Sequence, residues 1–139
     1  MTSGTGSSKE RSRRVFVVDD DEAVLDSLEL LLASAGFEVQ CFHSAAELLA
    51  RDDIDEAGCL VLDVRLQGMT GLELARRLKE EGHRVPAILI TGHLEPVTML
   101  QAETDGVLDV LHKPFDANAL LAWIERALAP DRADPEALG

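Results

Sequence analysis

Four short apolar runs constrain this chain more than any other feature, because each stops at a residue with chemistry of its own. Val15-Phe16-Val17-Val18 leads into Asp19-Asp20-Asp21. Cys59-Leu60-Val61-Leu62 leads into Asp63, Ala87-Ile88-Leu89-Ile90 into Thr91, and Val110-Leu111 into His112-Lys113-Pro114. Each has the length and flanks of a buried strand. In an open parallel sheet the carboxyl ends of the strands share one edge, and ligands bind there. The four runs therefore predict one site holding carboxylates, a hydroxyl and an ammonium.

The segments between the runs change period. Over 22–35, Val24, Leu25, Leu28, Leu31 and Leu32 recur at three and four residues and make one helical stripe, with Gly36 suited to the position after its end. Over 37–42, Phe37, Val39 and Cys41 alternate with Glu38 and Gln40, the pattern of a half-buried edge strand. Ser44-Ala45-Ala46-Glu47 has the wording of a capping box opening a short helix. Leu72, Leu74, Ala75 and Leu78 mark a helix over 71–81, ended by Gly82. A weakly striped helix is expected over 96–103. Another is expected over 117–128, capped by Asp116, with Leu120, Leu121, Ile124 and Leu128 as its stripe. Five strands alternating with five helices give an α/β fold, a five-stranded parallel sheet with helices on both faces. A dinucleotide-binding unit would need GxGxxG after the first strand. Asp19-Asp20-Asp21-Glu22 stands there instead, and a pyrophosphate would meet carboxylates.

The length of 139 residues suits one domain. Residues 14–129 read as the folded unit, 1–13 as a disordered leader and 130–139 as a flexible tail. No apolar run approaches the ~20 residues that span a bilayer, and no signal peptide opens the chain, so a soluble, cytoplasmic protein with no membrane partner is expected. The formal net charge of −13 argues against nucleic-acid binding, which needs a basic stripe. Much of that acid excess serves solubility; the acids at the strand ends suit a divalent cation. Cys41 and Cys59 sit in apolar runs and form no CxxC pair, so both are expected reduced and buried.

Asp19, Asp20 and Asp63 gathered at one edge would repel one another, and a hard divalent ion relieves that repulsion. Mg²⁺ takes one or two carboxylates, keeps several waters and binds phosphate oxygens. Lys113 adds a compact positive charge and Thr91 a hydroxyl, which together suit a clamp on a transferring phosphoryl group. Asp63 is then the candidate nucleophile, forming an aspartyl phosphate. Simpler roles stay open for each residue alone: Asp19 to Asp21 capping the first helix, Asp63 capping a loop, Thr91 serving a turn beside Gly92, Lys113 solvated at a strand end. His43, His83 and His112 lack metal-ligand spacing, and Trp123 suits packing or a partner surface.

The order and spacing of Asp19-Asp20, Asp63, Thr91 and Lys113, with Ile90-Thr91-Gly92-His93 and Lys113-Pro114-Phe115, resemble the receiver domain of bacterial two-component response regulators. Receivers of the nitrogen-fixation regulator type share that wording, and the resemblance covers about 15–128. It implies the flavodoxin-like (βα)5 fold with strand order 2-1-3-4-5. It implies Asp63 as the phosphoacceptor, Asp20 as a direct Mg²⁺ ligand, Asp19 acting largely through water, and the Arg65 backbone carbonyl completing the metal set. Thr91 and Lys113 would bind the phosphoryl group, and the bond before Pro114 would be cis. The side chains of Arg65 and His93 occupy positions linked to the rate of dephosphorylation. The implied donor is a histidine kinase or histidine phosphotransfer protein. The implied output is a downstream protein target or an output domain that this sequence does not contain, with a homodimer through the helix at 96–103, the fifth strand and the last helix. The resemblance makes the chain a signalling module that catalyses only its own phosphorylation and dephosphorylation.

Two positions depart from the family. Gln67 replaces a proline four residues after Asp63, which predicts a looser loop, and Val110 replaces the aromatic switch residue of the fifth strand, so no ring flip can accompany movement of Thr91. A phosphorylation-independent pseudo-receiver is the alternative these positions keep open. A phosphatase of the haloacid-dehalogenase type also uses a strand-end Asp and Mg²⁺. It would need a second Asp two residues later, where Arg65 stands, and arginine cannot relay a proton near neutral pH.

Overall fold

The computed structural model describes residues 12–92 and 107–129. Five parallel strands, β1 (Arg14–Val18), β2 (Glu38–Phe42), β3 (Cys59–Asp63), β4 (Ala87–Thr91) and β5 (Val107–His112), stand in the order β2-β1-β3-β4-β5. The helices are α1 (Glu22–Ser34), α2 (Ala45–Leu49), α3 (Gly71–Glu80) and α4 (Ala117–Leu128). This is the flavodoxin-like doubly wound fold. The helix expected at 96–103 lies outside the described residues. Among the described residues no helix is long and apolar enough to cross a membrane.

Strand alternation divides the core between the two faces of the sheet. Phe16, Val18, Leu60, Leu62 and Leu89 point to one side, where Leu48 of α2 and Leu74 and Leu78 of α3 cover them. Val15, Val17, Val61, Ile88 and Ile90 point to the other, under Leu25, Leu28 and Leu32 of α1 and Leu120, Ile124 and Leu128 of α4. The three central strands, β1, β3 and β4, are therefore apolar at every inner position, as strands buried on both faces must be. β2 is an edge strand, and Glu38 and Gln40 face away from the core.

Local signals set the element ends. Asp21 accepts from Ala23 N at 2.9 Å and caps α1; Gly36 follows it at φ +94°, and Gly82 follows α3 at φ +96°, conformations that glycine adopts without strain. Asp116 caps α4 by accepting from Asn118 N at 2.9 Å. The capping box expected at Ser44 is only half formed. Ser44 Oγ accepts from Glu47 N, but the Glu47 carboxylate accepts from His43 N at 2.8 Å instead of from its own cap residue. The complete box is at Thr70 and Glu73, opening α3.

β5 begins three residues before the expected Val110. Val107 pairs with Ala87 and is buried, while Ile88 pairs with Asp109, so the register shifts by one residue around Leu108. The half-buried Asp109 at this irregular start interrupts the apolar pattern. A short 3₁₀ turn, Ile54–Glu56, was also not expected, because Asp53, Asp55 and Glu56 surround the one buried residue, Ile54. Cys59 is buried and Cys41 half-buried; both are free thiols. Burial pushes the Cys41 thiol up to about 11, with Glu29 and Asp26 adding to the shift, which disfavours the thiolate.

Candidate functional site

The strand order reverses direction between β1 and β3, and the crevice at their carboxyl ends is where open α/β sheets bind ligands. Asp19 follows the last residue of β1, and its backbone N–H donates to Phe42 O at 3.1 Å, which fixes the turn against the end of β2. Asp63 is the last residue of β3. One oxygen each from Asp19, Asp20 and Asp63 lies within 4.8 Å of the others. Asp19 and Asp63 are buried, at 3% and 9% exposure, and Asp20 is exposed.

Lys113 enters from β5. Its Nζ lies 3.6 Å from Asp19 Oδ2 and 3.8 Å from Asp63 Oδ1. The Lys113 backbone N–H donates to Thr91 O at 2.7 Å, so the ends of β4 and β5 are tied together. Thr91 is buried at the end of β4, and the Lys113–Pro114 bond is cis. The predicted strand-end residues Asp19, Asp20, Asp63, Thr91 and Lys113 thus meet at one edge. Of the three acids that could cap the first helix, Asp21 takes that role. Asp19 Oδ1 accepts from Asp21 N at 2.8 Å, which leaves its other oxygen toward Lys113.

Burial is the main reason that the Asp63 carboxyl is pushed up to about 6. The nearby Asp19 charge raises it further, Lys113 opposes, Asp20 adds, and a backbone hydrogen bond at Val64 lowers it. Asp19 is also raised, chiefly by burial, against the hydrogen bond from Asp21 and the charge of Lys113. One ammonium does not neutralise three carboxylates. A small divalent cation fits this donor set: all three side chains offer hard oxygens, and the exposed Asp20 leaves a wet side where water ligands can remain.

The loop after β3 is tied down despite Gln67. Gly71 N donates to Val64 O at 2.8 Å, Arg65 and Thr70 form an antiparallel bridge, and Leu66 and Met69 pack against the core. Gly68 takes the left-handed turn at φ +89°. The Arg65 side chain is exposed. Val110 pairs with Leu89 and packs, half-buried, on the same face of the sheet as α3. His93 lies outside the described residues. His43 stands between Glu22 and Glu47, His83 pairs with Asp55 at 2.8 Å, and the Arg126 guanidinium lies over the Trp123 ring at 4.7 Å; His43, His83 and Trp123 all lie outside the acidic cluster.

A family model described as the response regulator receiver domain matches residues 15–125. The chain belongs to the response regulator receiver family. Among curated relatives, the response regulator protein TodT of Pseudomonas putida is 40% identical over 119 residues, covering 86% of this chain and 52% of TodT. The transcriptional regulatory protein FixJ of Bradyrhizobium diazoefficiens is 40% identical over 123 residues, covering 88% of this chain and 59% of FixJ. The solved structure of the response regulator StyR superposes with a TM-score of 0.77 at 40% identity, over 90% of this chain and 63% of that one. The receiver thus spans a little over half the length of these curated relatives. It is a two-component signalling module with an acidic cluster that could hold a metal ion.

Proposed function

We propose that this receiver accepts a phosphoryl group on Asp63 from a phosphorylated histidine of a histidine kinase or histidine phosphotransfer protein. The observation that carries the proposal is the placement of one carboxylate, Asp63, against both the Lys113 ammonium at 3.8 Å and the Asp19–Asp20 pair, in the crevice between β1 and β3. A carboxylate oxygen of Asp63 attacks phosphorus, the N–P bond of the donor breaks, and the imidazole leaves with the bonding electron pair. Lys113 pairs with one phosphoryl oxygen and the Thr91 hydroxyl donates to another. Asp19, Asp20, Asp63 and the Arg65 backbone carbonyl would hold Mg²⁺. When bound, the ion offsets the negative charge that gathers as anionic phosphate approaches anionic carboxylate.

The aspartyl phosphate then biases a protein-interaction surface built on β5, α4 and the segment 96–103, which also serves as the homodimer contact. Arg65 and His93 tune how fast water removes the phosphoryl group. The unit carrying this activity is 14–129. Its output is either a separate protein target or a further domain, as the transcriptional-regulator name of FixJ suggests. Such donors draw on ATP, so the site of action is the cytoplasm.

Mg²⁺-dependent labelling with acetyl phosphate, followed by intact mass, tests the proposal. The expected result is a gain of one phosphoryl group in the wild type and none in Asp63→Asn. Full labelling of Asp63→Asn would overturn the assignment. Val110 favours a second reading, a binding module that switches without phosphate, because no aromatic ring stands at position 110 of β5 to move with Thr91. That reading expects Mg²⁺ binding without label from any donor.

A further inference from the structure

We propose that Gly71 is a positioning residue for Asp63, and that its missing side chain is what lets the start of α3 brace the metal-binding backbone. This inference rests on the phosphoacceptor reading above. A Cβ built at Gly71 would fall well inside van der Waals contact of the Asp63 carbonyl oxygen, 3.1 Å from the Asp63 carbonyl carbon and 3.3 Å from Leu89 Cδ2. Two of these three neighbours are backbone atoms of the phosphoacceptor itself, at the end of a strand held on one side by β1 and on the other by β4. The strand cannot move aside without disturbing pairing in the centre of the sheet, so any side chain at 71 has to push the turn or the Asp63 backbone.

Three consecutive residues depend on that close approach. Asp63 O abuts Gly71, Val64 O accepts from Gly71 N at 2.8 Å, and Arg65 bridges Thr70. The other side of the turn is fixed by the capping box, in which Thr70 Oγ1 accepts from Glu73 N at 3.0 Å and Thr70 N donates to Glu73 Oε1 at 2.9 Å. The helix start is thereby a rigid back wall for 63–65, the stretch that supplies both the nucleophilic carboxylate and the carbonyl assigned to the metal. Ligand geometry for Mg²⁺ is strict, so a small displacement of this backbone weakens binding out of proportion to its size.

A second glycine supplies a matched control. A Cβ at Gly58 would clash with the Ser12 carbonyl oxygen and with Leu128 Cδ2, at the start of β3, the opposite end of that strand from Asp63. Gly71→Ala, Gly58→Ala and the wild type are compared by Mg²⁺ titration followed through backbone amide shifts, by acetyl phosphate labelling rate and by melting temperature. The expected result is a fall of about tenfold in Mg²⁺ affinity for Gly71→Ala, the scale of lost outer support at metal sites, with slower labelling. Gly58→Ala should lower the melting temperature and leave Mg²⁺ affinity unchanged. A folded Gly71→Ala that binds Mg²⁺ as the wild type does overturns the proposal, as does an equal loss of affinity in Gly58→Ala. Should Gly71→Ala not fold, Thr70→Ala carries the test: it loosens the same wall without adding an atom, weakened Mg²⁺ binding supports the proposal and unchanged binding overturns it. A wild type that binds Mg²⁺ but takes no label counts against the phosphoacceptor reading alone, since the affinity comparison still stands.

Discussion

At the scale of single residues, Asp63 is placed at a cost to stability. Its carboxyl is raised from 3.8 to about 6, first by burial and then by Asp19, so the folded protein holds the Asp63 proton more tightly than the unfolded chain does. Between about pH 4 and pH 6 the native state binds more protons, and stability from this group falls as pH rises through that window; above it the full penalty remains. Asp63→Asn is therefore expected to melt higher than the metal-free wild type at pH 7.5, by on the order of 1 kcal/mol. The advantage should shrink toward pH 4, where Asp63 is already neutral. Thermal melts across this range check it, and a variant less stable at pH 7.5 would contradict it. Mg²⁺ should raise the melting temperature of the wild type at pH 7.5 and raise that of Asp63→Asn less, because binding only the native state adds to its stability. The residue types at the strand ends carried this chemistry openly in the sequence. The role of Gly71 was not legible there, because it depends on how close α3 comes to Asp63, a tertiary distance that no local pattern reports.

At the scale of elements, the acidic run after β1 separates into different tasks. Asp21 caps α1, Asp19 is buried and turned toward Lys113, and Asp20 stays exposed at the rim. Asp21→Ala should cost about 1 kcal/mol of stability, the usual loss of a helix cap, while leaving the stoichiometry of phosphoryl labelling unchanged; a loss of label would put Asp21 in the site. Strands with clean apolar runs, such as β3 and β4, were legible to within a residue. β5 was not, because the half-buried Asp109 and the register shift at Leu108 hide its first three residues, two of them paired with β4, behind a broken pattern. Glu47 likewise has the spacing of a capping box but bonds His43 N, a choice set by how the chain leaves β2.

At the scale of the whole molecule, the sheet separates two cores that must fold together. Leu74 is fully buried on the α3 face and Leu32 on the α1 face. Leu74→Ala and Leu32→Ala should each cost about 2–5 kcal/mol, and each should lower one cooperative transition instead of splitting it, because β1, β3 and β4 contribute side chains to both faces. Denaturant melts followed by circular dichroism check this. The same sheet carries three carboxylates, a hydroxyl and an ammonium to one edge, so the site is a consequence of topology as much as of composition. The central claim is that the phosphoryl group ends on Asp63. Protein labelled with acetyl phosphate and Mg²⁺ would be reduced with borohydride, which converts an aspartyl phosphate to homoserine, and peptides would then be sequenced by mass. Homoserine at position 63 alone is the result expected. Homoserine at position 19 or 20, or a phosphoryl group that survives reduction on another side chain, would contradict it.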